Sequence, residues 1–232
     1  MLKVELAVDA RIFGQQPLEL AAPEAAAVGI RGLELAESRA LLNHESLDRF
    51  LRGFSMRLAG FRVPAESADA VLRPILPALQ KMGSNRIFIA SSGPMKAEEA
   101  AELCKAVSRQ CLPMGIRPVL CGASLGLEQC QRFCELVAPE QGGLGADTGE
   151  LAMRSIDAET FVEKFSSRIE YVRLRDVDES GRTAQLGRGC SAVEKFVEGL
   201  REASYVGWLC LQPPGLEALP AAREFLQTRL RI

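Results

Sequence analysis

Acidic and basic side chains follow two consecutive predicted strands in the C-terminal half of the chain. The first strand, Leu144 to Ala146, ends in Asp147-Thr148-Gly149-Glu150, and the second, Ile169 to Leu174, ends in Arg175-Asp176. Carboxylates can act as general acids and bases, and arginine can hold a phosphate or a carboxylate through two parallel hydrogen bonds. Because parallel strands of α/β proteins bind ligands at their carboxyl ends, these residues predict a polar ligand site.

The elements that must position these residues alternate regularly along the chain. Eight runs of strand type alternate with eight stretches of helical pattern, and no linker or change of composition interrupts them. Alternation predicts a parallel sheet, and the number eight predicts its closure into a barrel. We therefore predict one α/β domain over residues 1–232, a single (β/α)8 TIM barrel. An open doubly wound sheet is the alternative, but the chain contains neither GxGxxG nor GxxxxGK[ST].

The predicted boundaries follow hydrophobic periodicity and the positions of glycine and proline. The predicted strands are residues 1–8, 32–36, 55–63, 86–90, 116–121, 144–146, 169–174 and 208–212. The predicted helices are residues 18–28, 43–52, 67–82, 96–112, 125–137, 158–165, 192–202 and 216–230. Proline suits a first helical turn, so regular helix is expected to begin near Pro23 in the first of these and near Pro74 in the third.

Composition argues against several classes of function. The chain of 232 residues has a formal net charge of −2 and a pI near 5.7, without a run of Lys or Arg. Nucleic-acid binding normally needs a clustered basic face, so no such partner is expected. No secretory signal or apolar span of membrane length is visible, and the seven cysteines lack disulfide-module spacing. We expect a reduced cytoplasmic protein with no membrane partner.

Four phrases of the sequence resemble those of the xylose isomerase-like barrel superfamily, which contains sugar isomerases and epimerases, inosose dehydratases and apurinic endonucleases. Ala25 to Leu35 is similar to the family's passage from the first helix to the second strand, and Leu79 to Gly83 to its approach to strand four. Leu186 to Gly189 and Tyr205 to Trp208 resemble its LGxG and GYxG phrases. The resemblance covers nearly the whole chain and implies a TIM barrel with its site at the strand ends.

The resemblance also implies a divalent metal site, which most family enzymes build from Glu, Asp, His and Glu on strands five to eight. The corresponding residues here are Cys121, Asp147, Arg173 and Gln212. Carboxylates gathered at one point repel each other unless a cation lies among them. We predict that Arg173 supplies this charge, paired with Asp147, Glu34 or Glu150, and that no metal or other cofactor is needed. The alternative is a divalent metal held by Cys121, Asp147 and Glu150.

Two functions remain open on the sequence. In the first, the chain resembles sugar or sugar-phosphate isomerases and epimerases and acts on a small polyhydroxylated or anionic metabolite without the usual metal. In the second, it is a non-catalytic barrel that keeps the pocket for binding a sugar or for regulation. The predicted acid/base residues are Glu34, Asp147 and Glu150. The predicted ligand-binding residues are Arg173, Arg175, Asp176, Arg188, Gln212 and Thr148.

The charged residues themselves allow alternative roles. Asp147 and Arg173 either bind the ligand or form a structural ion pair that fills a former metal site. Arg57 and Arg62 are further candidates for clamping an anion. We expect Gln212, Thr148 and Asp176 to hydrogen-bond ligand hydroxyl groups. Short connections predict a shallow mouth, which a homo-oligomer would cover.

Overall fold

Eight parallel strands close into a barrel in the computed structural model, which describes residues 3–36, 44–229 and 231. The barrel strands are β1 (Lys3–Asp9), β2 (Gly32–Ala36), β3 (Arg57–Pro64), β4 (Arg86–Ala90), β5 (Arg117–Cys121), β6 (Gly143–Asp147), β7 (Ile169–Leu174) and β10 (Val206–Leu211). Each barrel strand pairs with the next in sequence, and β10 pairs with β1. The predicted (β/α)8 TIM barrel is confirmed.

Helices surround the barrel and bury one apolar face each against it. They are α1 (Leu18–Ala27), α2 (His44–Gly53), α3 (Ala68–Lys81), α4 (Ala97–Cys111), α5 (Leu127–Leu136), α6 (Thr148–Met153), α7 (Ala158–Phe165), α8 (Val193–Glu202) and α9 (Leu219–Arg229). In α4, for example, Ala100, Cys104 and Val107 are buried at helical spacing, whereas Glu98 and Glu99 are exposed. Within the described residues, no helix is long and apolar enough to cross a membrane.

The prediction that prolines delay two helices is wrong. α1 is continuous through Pro23, and α3 is continuous through Pro74 and Pro77. A proline leaves the carbonyl group four residues earlier without its helical donor. In α3 these carbonyls belong to Ala70 and Arg73, which are exposed, so water can bond to them. Leucine and isoleucine side chains on the opposite face are buried, and their packing outweighs the local preference.

Two short elements near the mouth were not predicted. α6 begins directly after β6, and a hairpin of β8 (Asp176–Val177) and β9 (Thr183–Ala184) follows β7. The N–H of Glu150 donates to Asp147 Oδ1 at 3.0 Å, which caps α6. Both elements lie where the sequence predicted loops, and both fix charged residues at the carboxyl ends of strands.

Aromatic rings fill the barrel interior beneath these strand ends. The ring centroids of Phe88 and Tyr171 lie 5.6 Å apart, and both side chains are buried. Gly145 on β6 makes room for the ring of Phe88, because a Cβ atom there would lie 2.1 Å from Phe88 Cε2. The rings therefore form the floor on which the charged residues rest.

Candidate functional site

The site is centred on the guanidinium of Arg173, whose side chain is 1% exposed. Its Nη1 atom donates to Asp147 Oδ2 at 2.8 Å, and its Nε atom lies 3.2 Å from Glu34 Oε1. Its Nη2 atom donates to Asp9 and, at 2.9 Å, to Gln212 Oε1. Carboxylates from β1, β2 and β6 thus surround one arginine, which makes Arg173 the cation at the centre of the strand ends.

Strand register explains why these side chains meet. Asp9 on β1 lies beside Glu34 on β2, and Asp147 on β6 lies beside Arg173 on β7. The predicted pairing of Arg173 with Asp147 or Glu34 is confirmed, and the pair with Glu150 is not formed. Asp9 was missed by the sequence analysis. An acid that ends the first strand, as Asp147 ends β6, is the signal that could have found it.

Two further arginines neutralise the buried acids from the side of the mouth. Arg11, which is 43% exposed, donates from Nε to Asp9 Oδ2 at 2.9 Å. Arg175, which is 15% exposed, donates from Nε to Asp147 Oδ1 at 3.3 Å. Arg175 packs closely on Gly149, where a Cβ atom would lie 2.6 Å from the same Nε atom. Glycine at this position therefore lets Arg175 lie over the start of α6.

A looser ion pair lies across the mouth. Arg62 Nη2 on β3 is 3.8 Å from Glu150 Oε1 on α6, and the two side chains are 19% and 18% exposed. The other oxygen of Glu150 accepts a hydrogen bond from Cys121 Sγ at 3.3 Å. Burial and the nearby carboxylate of Glu150 raise the pKa of the Cys121 thiol, so at neutral pH it is a protonated donor. A protonated thiol is neither a nucleophile nor a good metal ligand.

The charges of this cluster balance. The arginines are Arg11, Arg62, Arg173 and Arg175, and the acids are Asp9, Glu34, Asp147 and Glu150. Burial raises the pKa of Glu34, and Arg173 opposes this shift. Glu34 Oε2 is buried and has no hydrogen-bond partner in the described part of the chain. Burial also lowers the pKa of Arg62, and repulsion from Arg173 and Arg11 adds to this effect.

Acid should weaken the fold through Asp9. Burial alone would raise the pKa of Asp9, but Arg173 and Arg11 outweigh burial and lower it from 3.8 to about 2. A carboxyl with a lowered folded pKa stabilises the protein above its unfolded pKa, and this stability is lost as the pH falls toward the folded value. We therefore expect the wild type to lose roughly 2 kcal/mol through this group between about pH 4.5 and pH 2.

Urea unfolding of the wild type and Asp9→Asn over this pH range measures the effect. The difference in unfolding free energy between the two proteins should shrink as the pH falls. A difference that stays constant over the range would contradict the assignment of Asp9.

Two predicted ligand-binding residues serve the backbone instead. The hydroxyl of Thr148 donates to the carbonyl of Arg175 at 2.7 Å and accepts from its N–H at 3.0 Å. The carboxylate of Asp176 accepts N–H bonds at 2.9–3.0 Å from the residues that shape the next loop, Val177, Gly187, Gly189 and Ser191. The expectation that Thr148 and Asp176 are free to bond ligand hydroxyls is therefore wrong, because both are already satisfied.

The structure does not bring Arg188 or Arg57 to this cluster. Arg188 is exposed and lines a groove with Phe225 and Thr228 of α9, on the outer wall of the barrel. Arg57 begins β3, at the opposite end of the strands, where it pairs with Glu5 and lies 4.9 Å from the ring centroid of Trp208. Spacing along the sequence could not show that Arg188 and Arg57 lie away from the mouth of the barrel.

The residues at the centre do not fit a divalent metal. Each nitrogen of Arg173 already faces a carboxylate of Asp9, Glu34 or Asp147, on the side that an ion would have to occupy. An ion there would meet a fixed positive charge between its own ligands. Among residues 3–36, 44–229 and 231, no group of at least three His, Cys, Asp or Glu side chains is arranged to hold a metal.

No protein-family model and no curated protein matches the sequence. Solved structures do match the fold. The D-allulose 3-epimerase of Methylomonas sp., solved with D-allulose, has a TM-score of 0.82 at 16% identity, over 99% of this chain and 98% of that chain. A sugar phosphate isomerase/epimerase of Parabacteroides distasonis has a TM-score of 0.79 at 12% identity, over 98% and 94%.

A third match is described as a dehydratase and has the same barrel fold. The probable 3-DHS dehydratase involved in petrobactin synthesis in Bacillus anthracis has a TM-score of 0.81 at 12% identity, over 97% of this chain and 100% of that chain. At these identities the likeness shows the fold alone. The chain therefore has the same TIM barrel fold as these structures, and this fold is the one that the sequence resemblance implied.

Proposed function

We propose that the protein binds a small polyhydroxylated or anionic metabolite, of the sugar or sugar-phosphate class, at the carboxyl ends of the barrel strands and without a divalent metal. The observation that carries this proposal is the guanidinium of Arg173 among the carboxylates of Asp9, Glu34 and Asp147. This guanidinium, which is part of the chain, supplies the positive charge that such acids require. The ligand then contacts the partly exposed residues on the solvent side of Arg173 rather than a metal ion.

The residues above Arg173 suit a ligand with hydroxyl and acid groups. Arg62, Arg175, Glu150 and Gln212 are all partly exposed there. Gln212 uses its Oε1 atom for Arg173, while its amide nitrogen has no partner in the described part of the chain. Arginine and amide N–H groups are the donors that bind phosphate, carboxylate and hydroxyl oxygens. The sugar epimerase and the sugar phosphate isomerase/epimerase of the same fold support this ligand class.

Isomerase or epimerase chemistry is a second candidate, carried by Glu150. Proton transfer needs an acid or base within reach of the ligand. Glu150 is 18% exposed, whereas Glu34 is 1% and Asp147 is 0% exposed, and both of these acids face Arg173. We infer that Glu150 would exchange the proton and that Glu34 and Asp147 would position Arg173. The burial of Glu34 and Asp147 equally favours a non-catalytic barrel, and turnover assays decide between the two.

Ligand binding in the presence of EDTA tests the proposal. A thermal-shift screen of sugar phosphates, sugar acids and inositols should find at least one compound that stabilises the wild type, since any ligand of the folded state raises its stability. Arg175→Gln should weaken the response, and Arg109→Gln, on the exposed face of α4, should preserve it. A screen without a hit, or a hit that requires Mn²⁺, contradicts the proposal.

A further inference from the structure

We propose that Arg62 is the anion contact of the mouth and that Glu150 is the counter-ion it gives up when a ligand binds. The ligand would then carry a carboxylate or a phosphate group. This inference rests on the proposed function and narrows its ligand class.

Within the described residues, the guanidinium of Arg62 has N–H groups without an acceptor. Among the described residues, the carboxylate oxygen nearest to its guanidinium is that of Glu150, at 3.8 Å, which is beyond hydrogen-bond distance. In the part of the chain that the structure describes, this guanidinium makes no hydrogen bond, although only 19% of the side chain is exposed. A guanidinium carries five N–H donors, which can donate to the oxygens of a carboxylate or a phosphate.

The other arginines of the cluster are bonded to their acids. Arg11 lies 2.9 Å from Asp9, Arg173 lies 2.8 Å from Asp147, and Arg175 lies 3.3 Å from the same acid, each as a hydrogen bond. Of these four arginines, Arg62 is the one that makes no hydrogen bond to a described residue, so its whole guanidinium is open to an incoming anion. Its position on β3, near the strand end, faces the mouth rather than the buried layer.

The electrostatic surroundings also favour an added anion. The charged groups that act on Arg62 are the cations Arg173 and Arg11 and the acids Glu34 and Glu150. Of these acids, Glu34 faces Arg173, at 3.2 Å from its Nε atom. Among the described residues, Arg62 therefore lies beside two cations and has one loosely held counter-ion, Glu150. A carboxylate or phosphate would relieve this repulsion and accept the unused N–H groups.

Glu150 can release Arg62 without losing all its partners. One oxygen of Glu150 accepts from the thiol of Cys121 at 3.3 Å, and this bond does not involve Arg62. The Arg62–Glu150 ion pair joins β3 to the start of α6. In the barrel, β4 and β5 lie between β3 and β6. A ligand entering the mouth therefore meets this pair and can replace Glu150 at Arg62.

Isothermal titration with charged and neutral probes tests the inference. The probes are inorganic phosphate, D-ribose 5-phosphate, D-gluconate and neutral D-ribose, and the proteins are the wild type, Arg62→Gln, Glu150→Gln and the control Arg109→Gln. Arg62→Gln should weaken binding of the charged probes by tenfold or more. Glu150→Gln should strengthen it several-fold, because a competing carboxylate is removed. Arg109→Gln should match the wild type.

The outcomes separate this inference from the proposed function. If D-ribose binds as tightly as D-ribose 5-phosphate, or if Arg62→Gln preserves the affinity for charged probes, the role of Arg62 is wrong and the sugar site stands. If inorganic phosphate binds through Arg62 while no sugar compound binds, the inference stands and the sugar class is wrong. If no probe binds the folded wild type, both are contradicted. Thermal unfolding of each variant confirms that it is folded.

Discussion

Arg173→Ala should lower the free energy of unfolding by about 3–5 kcal/mol, the loss typical of breaking a buried ion pair. The substitution leaves Asp9, Glu34 and Asp147 facing one another, and their side chains are 0–1% exposed. Like charges at such separations repel strongly where water is excluded. The acids could take up protons instead, which is also a loss of stability at neutral pH.

Urea unfolding at neutral pH measures this loss. Arg109→Ala is the matched control, because Arg109 is exposed on α4 and such surface changes stay within about 0.5 kcal/mol. Arg173→Lys should recover only part of the loss, since an ammonium group cannot face several carboxylates with the planar fork of arginine. A loss below about 1 kcal/mol for Arg173→Ala would show that Arg173 does not hold the cluster together.

Arg173→Ala should also gain a stabilising response to divalent cations that the wild type lacks. Removing the guanidinium leaves space between Asp9, Glu34 and Asp147, whose oxygens now face its nitrogen atoms. Carboxylate oxygens around an open volume are the ligands that Mg²⁺ and Mn²⁺ prefer. At a cation concentration a hundred times the dissociation constant, binding would add about 2.7 kcal/mol to the stability of the variant.

Thermal unfolding with Mn²⁺, Mg²⁺ or EDTA tests this response. The melting temperature of Arg173→Ala should rise with either cation, and Asp147→Asn in the same background should abolish the rise. Arg173→Gln, which keeps a polar group in the volume, serves if the alanine variant does not fold. An equal rise in the wild type would mean that the guanidinium does not exclude the ion.

The centre of the cluster was predictable because its residues end clear apolar runs. β7, which carries Arg173, was predicted with its observed bounds. The predicted run of β6 likewise ended at Asp147. A buried arginine needs acids, so a pairing with Asp147, Glu34 or Glu150 could be inferred before any coordinates, and the structure shows the first two. Asp9 was missed although it also ends a strand, because its Oδ1 atom accepts the N–H of Arg11, and a capping role looks the same in sequence.

The mouth was less predictable because it depends on contacts between distant parts of the chain. The approach of Glu150 to Arg62 depends on α6, a short helix that hydrophobic periodicity did not reveal. Arg188 follows a glycine as a ligand-binding residue could, yet the loop folds against α9 on the outer wall. Asp176 was read as a ligand contact, while in the fold it organises the hairpin and the loop after it.

Metal content tests most directly whether Arg173 takes the place of a metal ion. Purified wild-type protein, incubated with Mn²⁺, Mg²⁺ and Zn²⁺ and then passed through a desalting column, should retain far less than one ion per chain in elemental analysis. Arg173→Ala treated in the same way should retain more Mn²⁺ than the wild type. About one tightly bound ion per wild-type chain, lost in Asp147→Asn, would contradict the assignment of Arg173 as the cation of this site.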